Sequence, residues 1–177
     1  MAIVGMAGSG KSEVARTLEA QGFTKVRFGD TTDEELKRRG LETNEENERH
    51  VRQQLREELG MAAYAQLNMP RIDRSLRSSN VVIDGLYSWE EYLLLKEYYG
   101  GRLLTVAVWA SPATRYARLA VRPVRPLTLE QAASRDRSEL ESINKGGPIA
   151  MADFTIANEA SLERLRKETE RVLLASR

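Results

Sequence analysis

Residues 5–12 read Gly-Met-Ala-Gly-Ser-Gly-Lys-Ser and satisfy the pattern G-x-x-x-x-G-K-[ST] at every fixed position. No other segment restricts the fold so strongly, because this pattern works only between a buried strand and the N-terminus of a helix. Glycines let successive backbone N–H groups turn inward as an anion nest, and the helix that follows adds the positive end of its dipole. The flanks meet the requirement. Ala2-Ile3-Val4 reads as a short apolar strand, and Val14, Ala15 and Leu18 recur with helical spacing. Gly5, Ala7, Gly8, Ser9 and Gly10 then form a phosphate cradle. Lys11 is placed to reach the β- and γ-phosphates of ATP, and the Ser12 hydroxyl to ligate Mg²⁺.

Downstream, a Gln21-Gly22 stop and an alternating stretch over residues 23–28 close a β-α-β unit at Gly29-Asp30. Residues 31–78 carry no strand pattern. They are charged and helical, with breaks expected at Gly40 and Pro70 and a capping box at Thr43-Asn44-Glu45-Glu46. Val51, Leu55 and Leu59 make one apolar stripe on that helix. Val81-Val82-Ile83 ending in Asp84 is the continuous apolar run of a central parallel strand. Ser88-Trp89-Glu90-Glu91 opens a helix that Gly100-Gly101 ends, and residues 103–109 form another strand.

Ser111-Pro112 starts a helix bearing Arg115, Arg118 and Arg122, after which Pro123 and Pro126 leave an arginine-rich loop. Thr128-Leu129-Glu130-Gln131 caps a helix carrying Arg135 and Arg137, and Gly146-Gly147-Pro148 is expected to break the chain. Residues 153–157 are the last strand, and Ser161 opens a final amphipathic helix. Strands alternating with helices imply an α/β fold, a five-stranded parallel sheet covered on both faces, with ligands beyond the strand carboxyl ends. Asp30, Asp84 and Asn158 all fall there.

A chain of 177 residues suits one domain. With no cysteine and His50 as the only histidine, disulfides, thiolate metal sites and cysteine nucleophiles are excluded. A net charge of +1 argues against a broad nucleic-acid face, although 21 of the 27 basic residues are arginine, the side chain that grips phosphate bidentately. No apolar run approaches the roughly 18 residues of a membrane span. The expectation is a soluble cytoplasmic protein without membrane or nucleic-acid partners, either monomer or homodimer.

In order along the chain, Gly-Met-Ala-Gly-Ser-Gly-Lys-Ser-Glu-Val-Ala, Phe28-Gly29-Asp30, Val81-Val82-Ile83-Asp84-Gly85, Arg118-Leu119-x-x-Arg122 and Ala152-Asp153-Phe154-Thr155-Ile156-Ala157-Asn158 resemble the nucleoside monophosphate kinase branch of P-loop proteins, most of all dephospho-CoA kinase and its relatives. The resemblance implies a three-layer P-loop fold of nucleotide-kinase type, with ATP and Mg²⁺ as cofactors. It also implies an acceptor-binding insertion at residues 31–78 and an arginine-rich lid at residues 121–137. The acceptor is then a nucleotide-like small molecule, attacked through a monophosphate oxygen or a ribose hydroxyl. Related kinases often carry an arginine after the Gly-Asp pair, where this chain has Thr31-Thr32-Asp33-Glu34.

Each further residue has a plain alternative. Asp84 either holds Mg²⁺ or forms a turn before Gly85. Arg118 and Arg122, four apart, either face one triphosphate together or are solvated on a helix. Arg135 or Arg137 either neutralises transition-state charge or joins Asp136 in a surface ion-pair array. Asn158 either contacts adenine or forms a turn, and Asp30 is either a general base or a helix cap. A nucleotide-binding regulatory protein without kinase turnover is the competing function.

Overall fold

The computed structural model describes residues 1–123 and 126–176. Val124 and Arg125, inside the expected lid, lie outside the described residues, as does Arg177. Five parallel strands form one sheet: β1 (Ala2–Val4), β2 (Thr24–Arg27), β3 (Val81–Asp84), β4 (Thr105–Trp109) and β5 (Phe154–Ala157), in the order β2-β3-β1-β4-β5. The loop-bearing β1 is central, with Ile3 opposite Asp84 of β3 on one side and Val106 of β4 on the other.

Alternate side chains of β3 enter different cores. Val81 and Ile83 join Val4, Val26 and Phe28 on one face, and Val82 joins Ile3, Val106 and Val108 on the other. That second face is covered by α1 (Lys11–Ala20) and α9 (Leu162–Ala175), through Val14, Leu18, Leu165 and Leu173. Opposite them lie the helices between β2 and β4: α2 (Asp30–Arg39), α3 (Glu45–Leu59), α4 (Ala63–Ser75) and α5 (Trp89–Tyr99). The chain between β4 and β5 forms α6 (Pro112–Val121), α7 (Leu129–Glu141) and the short α8 (Gly146–Ala150). Among the described residues no helix is long and apolar enough to cross a membrane.

Three local expectations shift. Pro70 sits inside α4 rather than breaking it, because Pro70 and Gln66 are both exposed and water can take the Gln66 carbonyl that a proline leaves unbonded. The break falls instead at Gly60, whose φ of 81° only glycine adopts easily. Helix α3 is capped by Asn44, one residue later than the box centred on Thr43, its side chain accepting from the Asn47 amide. Gly146-Gly147-Pro148 does not interrupt the chain but builds α8, whose Gly147 backs onto the Trp89 ring.

The box at Ser88 forms as expected, with Glu91 accepting from the amides of Tyr87 and Ser88. Glu91 is fully buried, and burial lifts its carboxyl from 4.5 to about 7 despite those two amides. The folded chain thus keeps a proton that the unfolded chain releases above about pH 4.5, so this group's stabilisation is full at low pH and is lost as pH rises toward 7. Between pH 5 and pH 8 the native protein is expected to lose on the order of 3 kcal/mol relative to Glu91→Gln. Urea unfolding of both proteins at the two pH values reads the difference, and parallel pH profiles would contradict it.

Candidate active site

The phosphate loop is held open by glycine and braced from two sides. Gly10 caps α1 in the left-handed region, with φ 106°, and a Cβ there would stand 2.3 Å from the Asn158 amide nitrogen. That nitrogen donates to the Ser9 carbonyl at 2.8 Å, while Arg118 donates to the Asn158 carbonyl at 3.0 Å. To the two roles that sequence offers Asn158, the structure adds a third, a brace between the end of β5 and the loop.

Gly8 allows the second contact. A Cβ on it would meet the Arg115 carbonyl at 2.8 Å, so α6 lies directly against the loop. Arg115 is buried; its guanidinium donates to the carbonyls of Ala7 and Ala110 and makes a bidentate pair with Asp136 at 2.8 and 2.6 Å. Tyr116 also donates to Asp136, at 2.9 Å. Asp136 is therefore no member of a surface array with Arg135 and Arg137, since its place on α7 turns it inward to Arg115 while both neighbours are exposed. Ala7, Leu119 and Ala132 form a small apolar core around this pair.

Lys11 donates to the Met6 carbonyl at 3.0 Å. Burial pulls its ammonium down to about 7, Lys145 pulls the same way, and the carboxylates of Glu139 and Asp84 oppose them. Asp84 ends β3, the strand beside the loop-bearing β1, and Ser12 is exposed in the first turn of α1. One hydroxyl and one carboxylate suit Mg²⁺, which keeps most of its waters and takes its remaining oxygens from phosphates. The first amides of α1 have no carbonyl one turn back, so they are available to an anion. Loop and donor set fit Mg²⁺ and a nucleoside triphosphate.

Arg135 also belongs to this neighbourhood. Its charge acts on Lys11, and it pairs with Glu139 at 3.1 Å. Arg118 does not point there; it serves the Asn158 loop, with one guanidinium nitrogen buried and unpartnered. Arg122 is where α6 stops: the helix ends at Val121, and a ψ of 141° at Arg122 turns the chain out toward Pro123.

Asp30 is the first residue of α2, half-exposed, and makes no cap bond. Instead Arg27, the last residue of β2, pairs with Asp30 at 2.8 Å and with Asp33 at 2.7 Å. Glu34 is paired with Arg71. The acidic run that replaces the usual arginine is thus countered by arginines from elsewhere. Trp89 stacks on Tyr92 at 5.2 Å, and Tyr98 and Tyr99 meet edge to face at 4.9 Å, all on α5.

Two residues escaped sequence reading as site candidates. Arg115 looked like one arginine of a series, and nothing in its spacing marks it as buried. Lys145 is 1% exposed, bound to Glu139 at 2.6 Å and set over the Tyr87 ring at 4.9 Å. Its only signal was type: a lysine in a chain that otherwise favours arginine.

The AAA_18 family model, described as an AAA domain, matches residues 1–139. UPF0200 protein TK1334 of Thermococcus kodakarensis is 37% identical over 97% of this chain and 94% of its own, and a UPF0200 protein of Hyperthermus butylicus is 37% identical over 97% and 91%. Among solved structures, TT1252 from Thermus thermophilus aligns with a TM-score of 0.60 at 24% identity, over 98% of this chain and 95% of that one. Shikimate kinase from Bacteroides thetaiotaomicron gives 0.61 at 15% identity, over 98% and 97%. Dephospho-CoA kinase from Campylobacter jejuni gives 0.55 at 15%, over 99% and 96%. At these identities the structures speak to fold alone, and they do not single out dephospho-CoA kinase. With a phosphate loop at the head of β1 and this sheet order, and with archaeal relatives matched along nearly its whole length, the chain belongs to the UPF0200 family, on a P-loop kinase-like fold.

Proposed function

We propose that the protein is an ATP- and Mg²⁺-dependent phosphotransferase whose acceptor is a small molecule attacking through a hydroxyl oxygen. What carries the reading is the phosphate loop that leaves β1 with Lys11 bonded to the Met6 carbonyl, beside the Asp84 end of the neighbouring β3. Catalysis of this kind is positioning and charge neutralisation. Mg²⁺, held by Ser12 and Asp84, would supply charge neutralisation at the β- and γ-phosphates. The loop amides and Lys11 orient the triphosphate, and Arg135 offsets charge that develops during transfer. The bond from the γ-phosphorus to the ADP oxygen breaks, the acceptor oxygen takes its place, and Asp30 receives the hydroxyl proton.

A hydroxyl acceptor is favoured by the half-exposed Asp30 carboxylate at the start of α2, a group able to take a hydroxyl proton, while Arg27 and Arg71 are committed to Asp30, Asp33 and Glu34 and not to an acceptor phosphate. Fold neighbours named shikimate kinase and dephospho-CoA kinase are consistent with it. Asp30→Asn is expected to lower turnover by at least about 10²-fold with ATP affinity nearly intact. An effect confined to acceptor KM would point to a monophosphate acceptor, and a loss of stability with neither kinetic change would make Asp30 structural. The deciding screen measures ADP release with dephospho-CoA, hydroxy acids such as shikimate, and nucleoside monophosphates. The AAA domain description favours a second reading, a nucleotide-binding protein that transfers nothing. ATP binding without acceptor-dependent ADP release from any of these compounds would select it.

A further inference from the structure

Lys145 lies outside every recognised motif of the chain, yet it is among the largest fully buried side chains. Burying an ammonium is costly unless it is paired. Glu139 provides the pairing at 2.6 Å, but the same carboxylate also serves Arg135 at 3.1 Å, so one acid is shared by two cations. The third cation of the cluster is Lys11. It opens α1 where the phosphate loop leaves β1, the strand paired with β3 and its terminal Asp84. The packing independently sets Lys145 at this end of the sheet. Its ammonium lies over the Tyr87 ring, and Tyr87 in turn packs against Gly85, the residue after Asp84.

The cations Lys11, Arg135 and Lys145 share this end of the sheet with the carboxylates Glu139 and Asp84, of which Asp84 is suited to Mg²⁺; Asp136 also attracts Lys145 but is committed to Arg115. Lys145 is buried and Arg135 half-exposed, and an anion that joins them offsets their mutual repulsion. A purely structural ion pair needs no second cation on its carboxylate and no proximity to the phosphate-loop lysine.

We infer that Lys145 is a second lysine of the phosphoryl-transfer site, held by Glu139 against Tyr87 so that its charge, together with that of Lys11, attracts the terminal phosphoryl group. This rests on the nucleotide-site reading above and adds to it a group that distinguishes triphosphate from diphosphate. Glu139 acts as its positioning residue. Arg135, on the same carboxylate, brings α7 to the same phosphate.

The test compares MgATP with MgADP by calorimetry on wild type, Lys145→Met, Lys145→Arg and the double variant Lys145→Met with Glu139→Gln. The double variant removes both buried charges, so that an orphaned carboxylate does not decide folding. The expected result is that both methionine variants lose about 10- to 100-fold in ATP affinity while ADP affinity stays within about 3-fold of wild type. Lys145→Arg is expected to recover part of the loss. Equal losses for ATP and ADP, or none for either, would overturn the role and leave Lys145 a structural ion-pair member. Failure of the wild type to bind either nucleotide would be a different result, overturning the nucleotide-site reading itself.

Discussion

Replacing Lys11 with methionine is expected to lower phosphoryl-transfer turnover by about 10²- to 10³-fold, the loss typical of removing one charge-stabilising donor. The fold should survive. The Lys11 ammonium makes a single hydrogen bond, to the Met6 carbonyl, and burial already pulls its pKa down to about 7. Methionine keeps most of the stem and removes a charge whose burial is costly. Turnover, MgATP calorimetry and the thermal midpoint should be measured on one preparation. Unchanged affinity together with unchanged turnover would remove Lys11 from the site.

The largest loss of stability is expected from Asp136→Ala. It leaves the buried Arg115 guanidinium without its bidentate partner, and stripping one member from a buried pair costs about 3–5 kcal/mol. For a domain of this size that corresponds to a fall in Tm of about 10 °C. Because Arg115 also holds the Ala7 carbonyl, nucleotide affinity should fall with it. Replacing both residues together, Arg115→Leu with Asp136→Leu, should restore much of the stability, since the cost lies in the orphaned charge. A loss below about 1 kcal/mol for Asp136→Ala would place the pair among ordinary surface ion pairs.

What was legible in the sequence was whatever local chemistry decides. The phosphate loop, the boxes at Ser88 and Thr128 and the central strand ending at Asp84 all depend on residues within a few positions of one another, and all formed. Pro70 misled because its cost in a helix depends on whether water reaches the freed carbonyl, which is a property of the packed surface. Arg115 and Asp136 are 21 residues apart, and their pairing is set by how α6 and α7 lie against the loop. No periodicity encodes that. Lys145 was hidden for a related reason: its partner Glu139 is near in sequence, but its neighbour Lys11 belongs to the first helix.

The Asn158 brace ties the earliest functional segment of the chain to one of its last elements. Ser9 and Asn158 are separated by 149 positions, and β4 must lie between β1 and β5 for Asn158 to reach the loop. Contacts of such long range form late, after the loop-closure entropy has been met. During synthesis the phosphate loop is therefore made well before the residue that braces it, and it takes its working shape late. Competence to hold a nucleotide becomes a report that the whole sheet has assembled, and a partly made chain carries the motif without the site.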